Sequence, residues 1–233
     1  YLIMNWKKSA LIHAKETNTE EVCGLICIVK GREKYWPCEN IADDPADGFC
    51  LSPDDWMKAE DAGELVGVFH SHPFSSPQPS QVDLSSCEHL GLPFYIVNPH
   101  TEQWHDFKPT GYIAPLIGRQ WTWGASDCWK LVIDYFAGKG LTVKDWERPK
   151  RSEDILTNGI FERVIPKSGF KIVEDEMQIG DLLLMKFTGP DPDHVAVYIG
   201  EQMVIHHLGG RLSSRDLYNE FLINATVKRF RYV

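Results

Sequence analysis

The chain has 233 residues, a formal net charge of −9 and an isoelectric point near 5.5, and it is long enough for two domains. The acidity argues against a nucleic-acid partner, because phosphate binding draws on clustered Lys and Arg side chains. No apolar run approaches the roughly 18 residues that span a bilayer, and the N-terminus lacks the layout of a signal peptide, so we expect no membrane span.

Helix and strand patterns alternate over the first half of the chain and predict an α+β unit at 1–108. The predicted elements are a helix at 6–15, strands at 22–29 and 35–36 around a turn at 30–32, a loop at 43–48, a helix at 52–60, a strand at 65–69, a helix at 80–90, and strands at 93–97 and 103–107. The turn-forming segment 108–111 ends this unit, and we expect a second domain at 112–233.

Residues that can bind a metal ion follow the strand predicted at 65–69. Side chains alternate between the two faces of a strand, so His70 and His72 project from the same side. Catalytic zinc takes three protein ligands and keeps one position for water, and Asp83 is the nearby carboxylate that could complete the set. Ser80 and Asp83 also fit an S-x-x-D capping box, which needs no metal. Because capping does not explain the paired histidines, the combination favours a zinc site.

These residues resemble the JAMM, or MPN+, metalloproteases, in which H-x-H is followed by seven residues and then S-x-x-D. The resemblance covers about the first hundred residues and implies an α/β/α domain of the cytidine-deaminase-like type. It implies that the two histidines and Asp83 ligate Zn²⁺, that Glu21 moves the proton of the attacking water, and that Ser80 hydrogen-bonds the oxyanion. Glu20 adjoins Glu21, and the spacing to Gly24 in an E-x-x-G segment favours Glu21.

A helix pattern in the second half begins at Cys128 and carries apolar residues at i, i+3, i+4, i+7 and i+8 as far as Phe136. Cys128 falls in the first turn, where backbone N–H groups and the helix dipole favour a thiolate, and Asp127 or Ser126 could cap the helix. A buried core cysteine explains the same pattern. That interpretation is the better one unless the chain supplies a catalytic partner.

Two histidines supply such a partner. His194 begins a predicted strand at 193–200, which follows a turn and strand at 179–185, and His206 ends the next strand, at 203–206. Antiparallel pairing would bring the two imidazoles together as a base and the group that orients it. His207 would face the opposite side of the strand, and we assign it no role.

This half resembles the NlpC/P60 peptidases, papain-like enzymes that cleave peptidoglycan stem peptides. The matching segments are 121–124, 127–132, 180–182, 194–200 and 205–206. The resemblance covers 112–233 and implies an N-terminal helix packed on an antiparallel sheet, with Cys128 as nucleophile, His194 as general base and His206 as orienting residue. Two positions depart from the family pattern: Trp129-Lys130 replaces Ser-Gly after the cysteine, and Trp121 replaces a tyrosine that helps to position the oxyanion.

Six cysteines, at positions 23, 27, 38, 50, 87 and 128, form no C-x-x-C pair and lie mostly in apolar or mixed segments. This distribution is typical of free thiols that pack as small apolar side chains, and we do not expect a disulfide framework. A reduced, cytoplasmic place of synthesis follows from that interpretation.

The order of the two domains resembles a tail-tip family of lambda-like tailed bacteriophages. The resemblance implies other phage tail-tip proteins as partners, peptidoglycan or another peptide as substrate, and action in the bacterial host cytoplasm during tail assembly or later at the virion tail tip or in the periplasm. We therefore predict a two-site peptidase of tail assembly. The alternatives are an assembly scaffold with weak or vestigial sites and a bacterial cell-wall remodelling hydrolase, which the lack of a leader weakens.

Overall fold

A computed structural model describes residues 5–42, 44–149 and 152–233, and the chain divides into two compact units at 1–112 and 113–233. The loop predicted at 43–48 therefore includes one residue, Asp43, that lies outside the described part of the chain. Among the described residues, no helix is both long enough and apolar enough to cross a membrane.

Unit 1 is built on one five-stranded mixed sheet. Its elements in chain order are α1 (Asn5–Glu16), β1 (Cys23–Val29), β2 (Arg32–Cys38), α2 (Pro53–Ala62), β3 (Glu64–Ser71), α3 (Gln81–Leu90), β4 (Phe94–Val97) and β5 (Trp104–Phe107). The strand order is β2-β1-β3-β4-β5, in which only the β3–β4 pair is parallel. Every helix and strand predicted for this half is present, and most bounds shift by one to three residues.

The sheet of unit 1 lies between two helical layers because alternate residues of its strands are apolar on both faces. On one face, α1 places Trp6, Ala10 and Ala14 against Ile26 and Phe69. On the other face, Ala59 of α2 and Cys87 of α3 join a second apolar cluster with strand residues that include Val68 and Phe94. This α/β/α arrangement confirms the predicted fold class of the first half. It also places α3 on the face toward which His70 projects, since His70 shares the parity of Val68 along β3.

Unit 2 is built on one six-stranded antiparallel sheet. Its elements are α4 (Cys128–Ala137), a 3₁₀ helix (Ser152–Leu156), α5 (Ile160–Lys167), β6 (Phe170–Ile172), β7 (Leu182–Met185), β8 (His194–Gly200), β9 (Met203–His206), β10 (Ser214–Leu217), α6 (Glu220–Ala225) and β11 (Thr226–Tyr232). The strand order is β10-β9-β8-β7-β11-β6. The turn and strand predicted at 179–185 are both present: Gly180 has a positive φ of 96° in the turn, and β7 begins at Leu182.

The helix α4 packs its apolar stripe on the sheet of unit 2. Trp129, Leu131 and Val132 are fully buried in one cluster with Val195 and Val197 of β8. The helix on an antiparallel sheet is the arrangement predicted for this half, and it sets the first turn of α4 beside the first residues of β8. Six elements of this unit have no counterpart in the prediction: the 3₁₀ helix, α5, β6, β10, α6 and β11.

Candidate active sites

Three of the predicted metal ligands lie together at the end of β3. The Nε2 atoms of His70 and His72 are 3.1 Å apart, and His70 Nε2 is also 3.1 Å from Asp83 Oδ1. Asp83 Oδ2 is 3.6 Å from His72 Nε2, and all three side chains are buried. The ring of Phe49 stacks on His70 with the ring centroids 4.3 Å apart, which holds that imidazole in place.

This donor set fits a zinc ion. Zinc binds imidazole nitrogen and carboxylate oxygen at 2.0–2.2 Å, so the ligand atoms of a tetrahedral site lie about 3.3 Å apart. The separations of His70 Nε2 from His72 Nε2 and from Asp83 Oδ1, both 3.1 Å, are close to that spacing, and the other oxygen of Asp83 lies 3.6 Å from His72 Nε2. His72 Nδ1 lies 3.0 Å from the carbonyl oxygen of Ser76, and donation of its N–H there leaves the Nε2 lone pair directed at the site.

Asp83 serves the helix and the histidines at the same time. Its Oδ2 accepts a hydrogen bond from the backbone N–H of Ser80, and Ser80 Oγ accepts one from the backbone N–H of Asp83, so the S-x-x-D capping box is formed. Burial opposes ionisation of Asp83, but the contacts with His70 and His72 and the Ser80 N–H outweigh it and lower the pKa of the carboxyl. The capping interpretation and the metal interpretation of Asp83 are therefore compatible.

Glu21 Oε1 lies 3.7 Å from His72 Nε2, whereas Glu20 is exposed. Glu21, His70 and His72 each offer a ligand atom within 4.8 Å of the others, so Glu21 borders the same centre. Burial raises the pKa of Glu21 to about 8, and His72 opposes that shift. A carboxyl with this pKa can hold a proton near neutral pH and release it.

Backbone contacts on either side of Glu21 position it beside the histidines. Ser71, which lies between the two histidines, accepts a hydrogen bond from Val22 N–H through its Oγ at 3.0 Å, and its own N–H donates to Val22 O. Asn40 Nδ2 donates to Glu21 O at 2.8 Å, and Glu21 N–H donates to Pro45 O. Ser71 and Asn40 are structural residues of this site that the sequence did not single out.

Ser80 is exposed at the start of α3 and keeps a proton that it can donate. Its Oγ accepts the capping hydrogen bond from Asp83 N–H at 3.1 Å, and a hydroxyl can accept and donate at once. The hydroxyl thus has a donor left over, and its predicted role at an oxyanion stays a prediction.

In unit 2, Cys128 is the first residue of α4 and is buried. Asp127 caps the helix by accepting a hydrogen bond from Lys130 N–H at 2.7 Å, so of the two capping candidates the structure selects Asp127 over Ser126. The backbone N–H groups of Val195 and Trp129 lie against the thiol, which places Cys128 next to the start of β8.

The helix position of Cys128 predicts a thiolate, but its surroundings in the structure act in the opposite direction. Burial and the negative charge of Asp127 raise its pKa to about 12, and these effects outweigh the backbone N–H groups and Arg148, which act in the opposite direction. Arg148 Nε lies 2.9 Å from Asp127 Oδ2 and offsets part of the charge of that carboxylate. These surroundings favour a neutral thiol in the free protein, whereas the helix terminus alone favours a thiolate.

His194 and His206 meet as antiparallel pairing predicts. Ala196 is opposite His206 in the β8–β9 ladder, so His194 and His206 are diagonal neighbours on one face, and His194 Nε2 lies 3.2 Å from His206 Nδ1. Burial lowers the pKa of His194 to about 3, so its imidazole is neutral near physiological pH. His207 follows the last residue of β9 and is also buried, and it is not part of this hydrogen bond.

A third polar residue, Asp216 of β10, continues the chain of contacts beyond His206. His206 Nε2 lies 2.8 Å from Asp216 Oδ2. Asp216 is not among the predicted site residues, because the sequence pattern does not indicate β10. The Gly209-Gly210 pair after β9 was the available signal, since a turn there returns the chain alongside β9 and brings a residue of the next strand next to His206.

Trp121, which replaces the family's tyrosine, stacks on Trp123 with the ring centroids 6.1 Å apart and an interplanar angle of 24°. Trp123 Nε1 donates to the carbonyl of Pro149, which fixes that ring. Both rings are half-buried. Trp129, the other departure from the family pattern, is fully buried in the core of unit 2 and therefore acts in packing.

The two units match two known domain families. Residues 118–231 match the NlpC/P60 family, and residues 6–109 match the family of prokaryotic homologs of the JAB domain. The chain thus joins a JAB-like domain to an NlpC/P60 domain, and both are peptidase or hydrolase families.

Three similar proteins show more closely which family the whole chain belongs to. The chain is 32% identical to the tail tip assembly protein K of Escherichia phage N15, over 95% of this chain and 92% of that protein. It is 31% identical to the tail tip assembly protein K of Escherichia phage lambda, over 73% of this chain and 83% of that protein. A desampylase of Haloferax volcanii is 30% identical over 40% of this chain and 76% of its own length. The chain belongs to the family of tail tip assembly protein K.

Proposed function

We propose that this protein is a peptidase of phage tail assembly with two hydrolytic centres. The cysteine centre of unit 2 hydrolyses stem peptides of peptidoglycan, and the histidine centre of unit 1 hydrolyses an amide or isopeptide bond with the help of zinc, with a tail protein as the candidate substrate. Membership in the family of tail tip assembly protein K supports the setting. Other tail-tip proteins are the expected partners, in the host cytoplasm during assembly and at the tail tip or in the periplasm afterwards.

The contact of His194 with His206 beside Cys128 carries the proposal for unit 2. Because the free thiol is neutral, Cys128 gives its proton to His194 as its sulfur attacks the substrate carbonyl. The imidazolium then protonates the leaving amine as the C–N bond breaks and a thioester forms. Water, deprotonated by His194, hydrolyses the thioester and restores the thiol.

In unit 1, the ligands of a zinc ion would be His70, His72 and Asp83. Zinc held there would act as a Lewis acid and lower the pKa of a water molecule. His72 is oriented by the carbonyl of Ser76, and Asp83 by the Ser80 N–H. Glu21 takes up a proton at its carboxylate and delivers it to the leaving amine, a role that fits its place 3.7 Å from His72 Nε2. The Ser80 hydroxyl donates to the oxygen on which negative charge develops.

An assembly scaffold with weak active sites is the second candidate. The raised pKa of Cys128 favours it, because a neutral buried thiol is a poor nucleophile until substrate binds. A scaffold, however, has no need for aligned histidines in both units. The two candidates differ in whether tail assembly requires Cys128 and Glu21 at all.

Digestion of defined muropeptides, with the products measured by mass spectrometry, tests the cysteine centre. We expect wild-type protein to cleave the stem peptide, Cys128→Ala and His194→Ala to lose cleavage, and the matched control Cys50→Ala, which changes an exposed thiol, to keep it. His72→Ala should lose zinc but still cleave muropeptides. Equal cleavage by wild type and Cys128→Ala would refute the cysteine-peptidase assignment.

Complementation of a phage that lacks this gene separates enzyme from scaffold. If the protein acts as a peptidase in assembly, a Cys128→Ala, Glu21→Gln double variant should fail to restore infectious tails although it accumulates normally. Restoration of normal titre by that variant would support the scaffold. The single variants then show which of the two centres assembly requires.

A further inference from the structure

Two histidines and a carboxylate form a continuous hydrogen-bonded chain in unit 2. His194 Nε2 lies 3.2 Å from His206 Nδ1, and His206 Nε2 lies 2.8 Å from Asp216 Oδ2. The strands fix this order. Ser214 is opposite His206 in the β9–β10 ladder, so Asp216, two residues on, projects from the same face as His206.

The carboxylate determines where the protons of both imidazoles reside. An ionised carboxylate can only accept, so a neutral His206 carries its proton on Nε2, and its Nδ1 is then a lone pair. That lone pair accepts the Nε2 proton of His194. The basic nitrogen left on His194 is Nδ1, which is the only one able to take the thiol proton of Cys128. With His206 in the opposite tautomer, His194 would hold its proton on Nδ1 and could not act as a base.

We propose that Asp216 is a positioning residue of the cysteine centre: it fixes the tautomer of His206 and, through it, the tautomer of His194. This assignment rests on the proposed peptidase function of unit 2 and extends the Cys128, His194 and His206 set by a fourth residue. Asp216 touches neither Cys128 nor the reacting atoms, so its effect on catalysis is transmitted by His206.

The surroundings of Asp216 keep its carboxylate ionised and directed at His206. Ser214 Oγ donates to Oδ2 at 3.0 Å, and Arg211 Nη2 donates to the same oxygen at 3.2 Å. The hydrogen bond from His206 is the main cause that lowers the pKa of Asp216, and Ser214 and Arg211 act in the same direction. The groups that face His206 are therefore His194 from β8 and Asp216 from β10, with Arg211 behind the carboxylate.

A purely structural role explains Asp216 less well. Its side chain is 33% exposed and its cationic partner, Arg211, is 51% exposed, and exposed ion pairs contribute little to stability. The β10 strand is already paired with β9 over four residues. A contact that only stabilises the pairing of β9 with β10 would not require the Asp216 carboxylate to lie at the Nε2 atom of His206.

Proton–nitrogen correlation NMR of the full-length protein reads the tautomers directly and needs no substrate. We expect the Nε2–H form for His206 and for His194 in the wild type. Asp216→Ala should convert a measurable fraction of both residues to the Nδ1–H form, and Asp216→Asn, whose amide oxygen still accepts, should convert less. Glu201→Gln is the matched control, since it removes an exposed carboxylate at the β8–β9 turn. Wild-type His206 in the Nδ1–H form, or unchanged tautomers in Asp216→Ala, would overturn the proposal.

Kinetics on a cleaved muropeptide give the second readout. Loss of a group that orients a catalytic residue typically costs 10- to 100-fold, so we expect kcat of Asp216→Ala to fall by about that factor with KM unchanged. Glu201→Gln should match wild type. If wild type cleaves and Asp216→Ala retains its kcat, Asp216 has no positioning role although the peptidase stands. If Cys128→Ala cleaves as well as wild type, the peptidase assignment fails, and the tautomer measurement alone decides whether Asp216 orders the histidines.

Discussion

The carboxylate of Asp83 accepts a hydrogen bond from Ser80 N–H at 2.7 Å through one oxygen, while its other oxygen lies 3.1 Å from His70 Nε2. The Asp83 side chain therefore caps the start of α3 and also completes a candidate metal centre. These two tasks need different chemistry. A cap needs only a hydrogen-bond acceptor, whereas a zinc ligand of this kind needs a negative charge.

Asp83→Asn should separate the two tasks. The amide oxygen can still accept from Ser80 N–H, so we expect the amide protons of α3 to remain protected from exchange. Zinc affinity should fall by about tenfold or more, because the ligand loses its negative charge. Asp83→Ala should lose zinc and also destabilise α3 by about 1 kcal/mol. Zinc content after dialysis and hydrogen exchange of α3 peptides measure the two effects.

The control for this pair is Asp54→Asn, which changes an exposed carboxylate in the first turn of α2. It should keep both zinc and the α3 exchange rates. A zinc content in Asp83→Asn equal to that of wild type would show that Asp83 is a cap and not a ligand.

The sequence anticipates the contact of His70, His72 and Asp83 because these residues are close together in the chain. Strand alternation places His70 and His72 on one side, and a helix start at Ser80 needs only local capping chemistry, so short-range rules suffice. The role of Ser71 cannot be predicted from such short-range rules. Its role depends on the antiparallel neighbour β1, which sequence spacing alone does not specify.

Asp216 could not be found from hydrophobic pattern, because the alternation in β10 is reversed. Leu217 is 53% exposed at the edge of the sheet, whereas Ser214 and Asp216 project toward His206. The strand β11 cannot be recognised from its hydrophobic pattern either. It carries the charged residues Lys228, Arg229 and Arg231, and its place between β7 and β6 depends on long-range pairing. Edge position or polar sequence therefore accounts for the three strands that the prediction lacks, β6, β10 and β11.

Ser71→Ala should destabilise the part of unit 1 that carries Glu21. The substitution removes the acceptor of the buried Val22 N–H, and an unsatisfied buried donor costs about 1–3 kcal/mol. We expect peptides from β1 to exchange hydrogen roughly 5- to 150-fold faster, as that free energy implies. The exposed Ser75→Ala is the control. Unchanged exchange of β1 would mean that the Ser71 hydroxyl contributes nothing at this site.

Alkylation of Cys128 should report a neutral thiol in the free protein. With a pKa raised to about 12 by burial, the thiolate fraction grows about tenfold per pH unit throughout the accessible range. The rate of reaction with iodoacetamide, measured in a Cys50→Ser background that lacks the exposed thiol, should therefore rise steadily from pH 6 to pH 10. A rate that is flat below pH 8 would indicate a thiolate–imidazolium pair and contradict this expectation.

Acid should destabilise unit 2 through two buried histidines. Burial lowers the pKa of His194 to about 3 and that of His207 to about 4, where Arg119 adds to the shift. The unfolded chain, with histidine pKa values near 6.5, binds more protons below that pH than the folded chain does. The stabilisation is thus complete above pH 6.5 and is lost as the pH falls toward 4, by about 1.4 kcal/mol per pH unit for each histidine.

Hydrogen exchange of β8 and β9 peptides between pH 7 and pH 4.5, corrected for the intrinsic exchange rate, measures this loss. His207→Asn removes one of the two titrating groups, so the pH dependence of its opening free energy should have about half the wild-type slope. The exposed His100→Asn in unit 1 should leave that slope unchanged. A His207→Asn slope equal to that of wild type would mean that His207 is already protonated in the folded protein, or exposed to solvent, at these pH values.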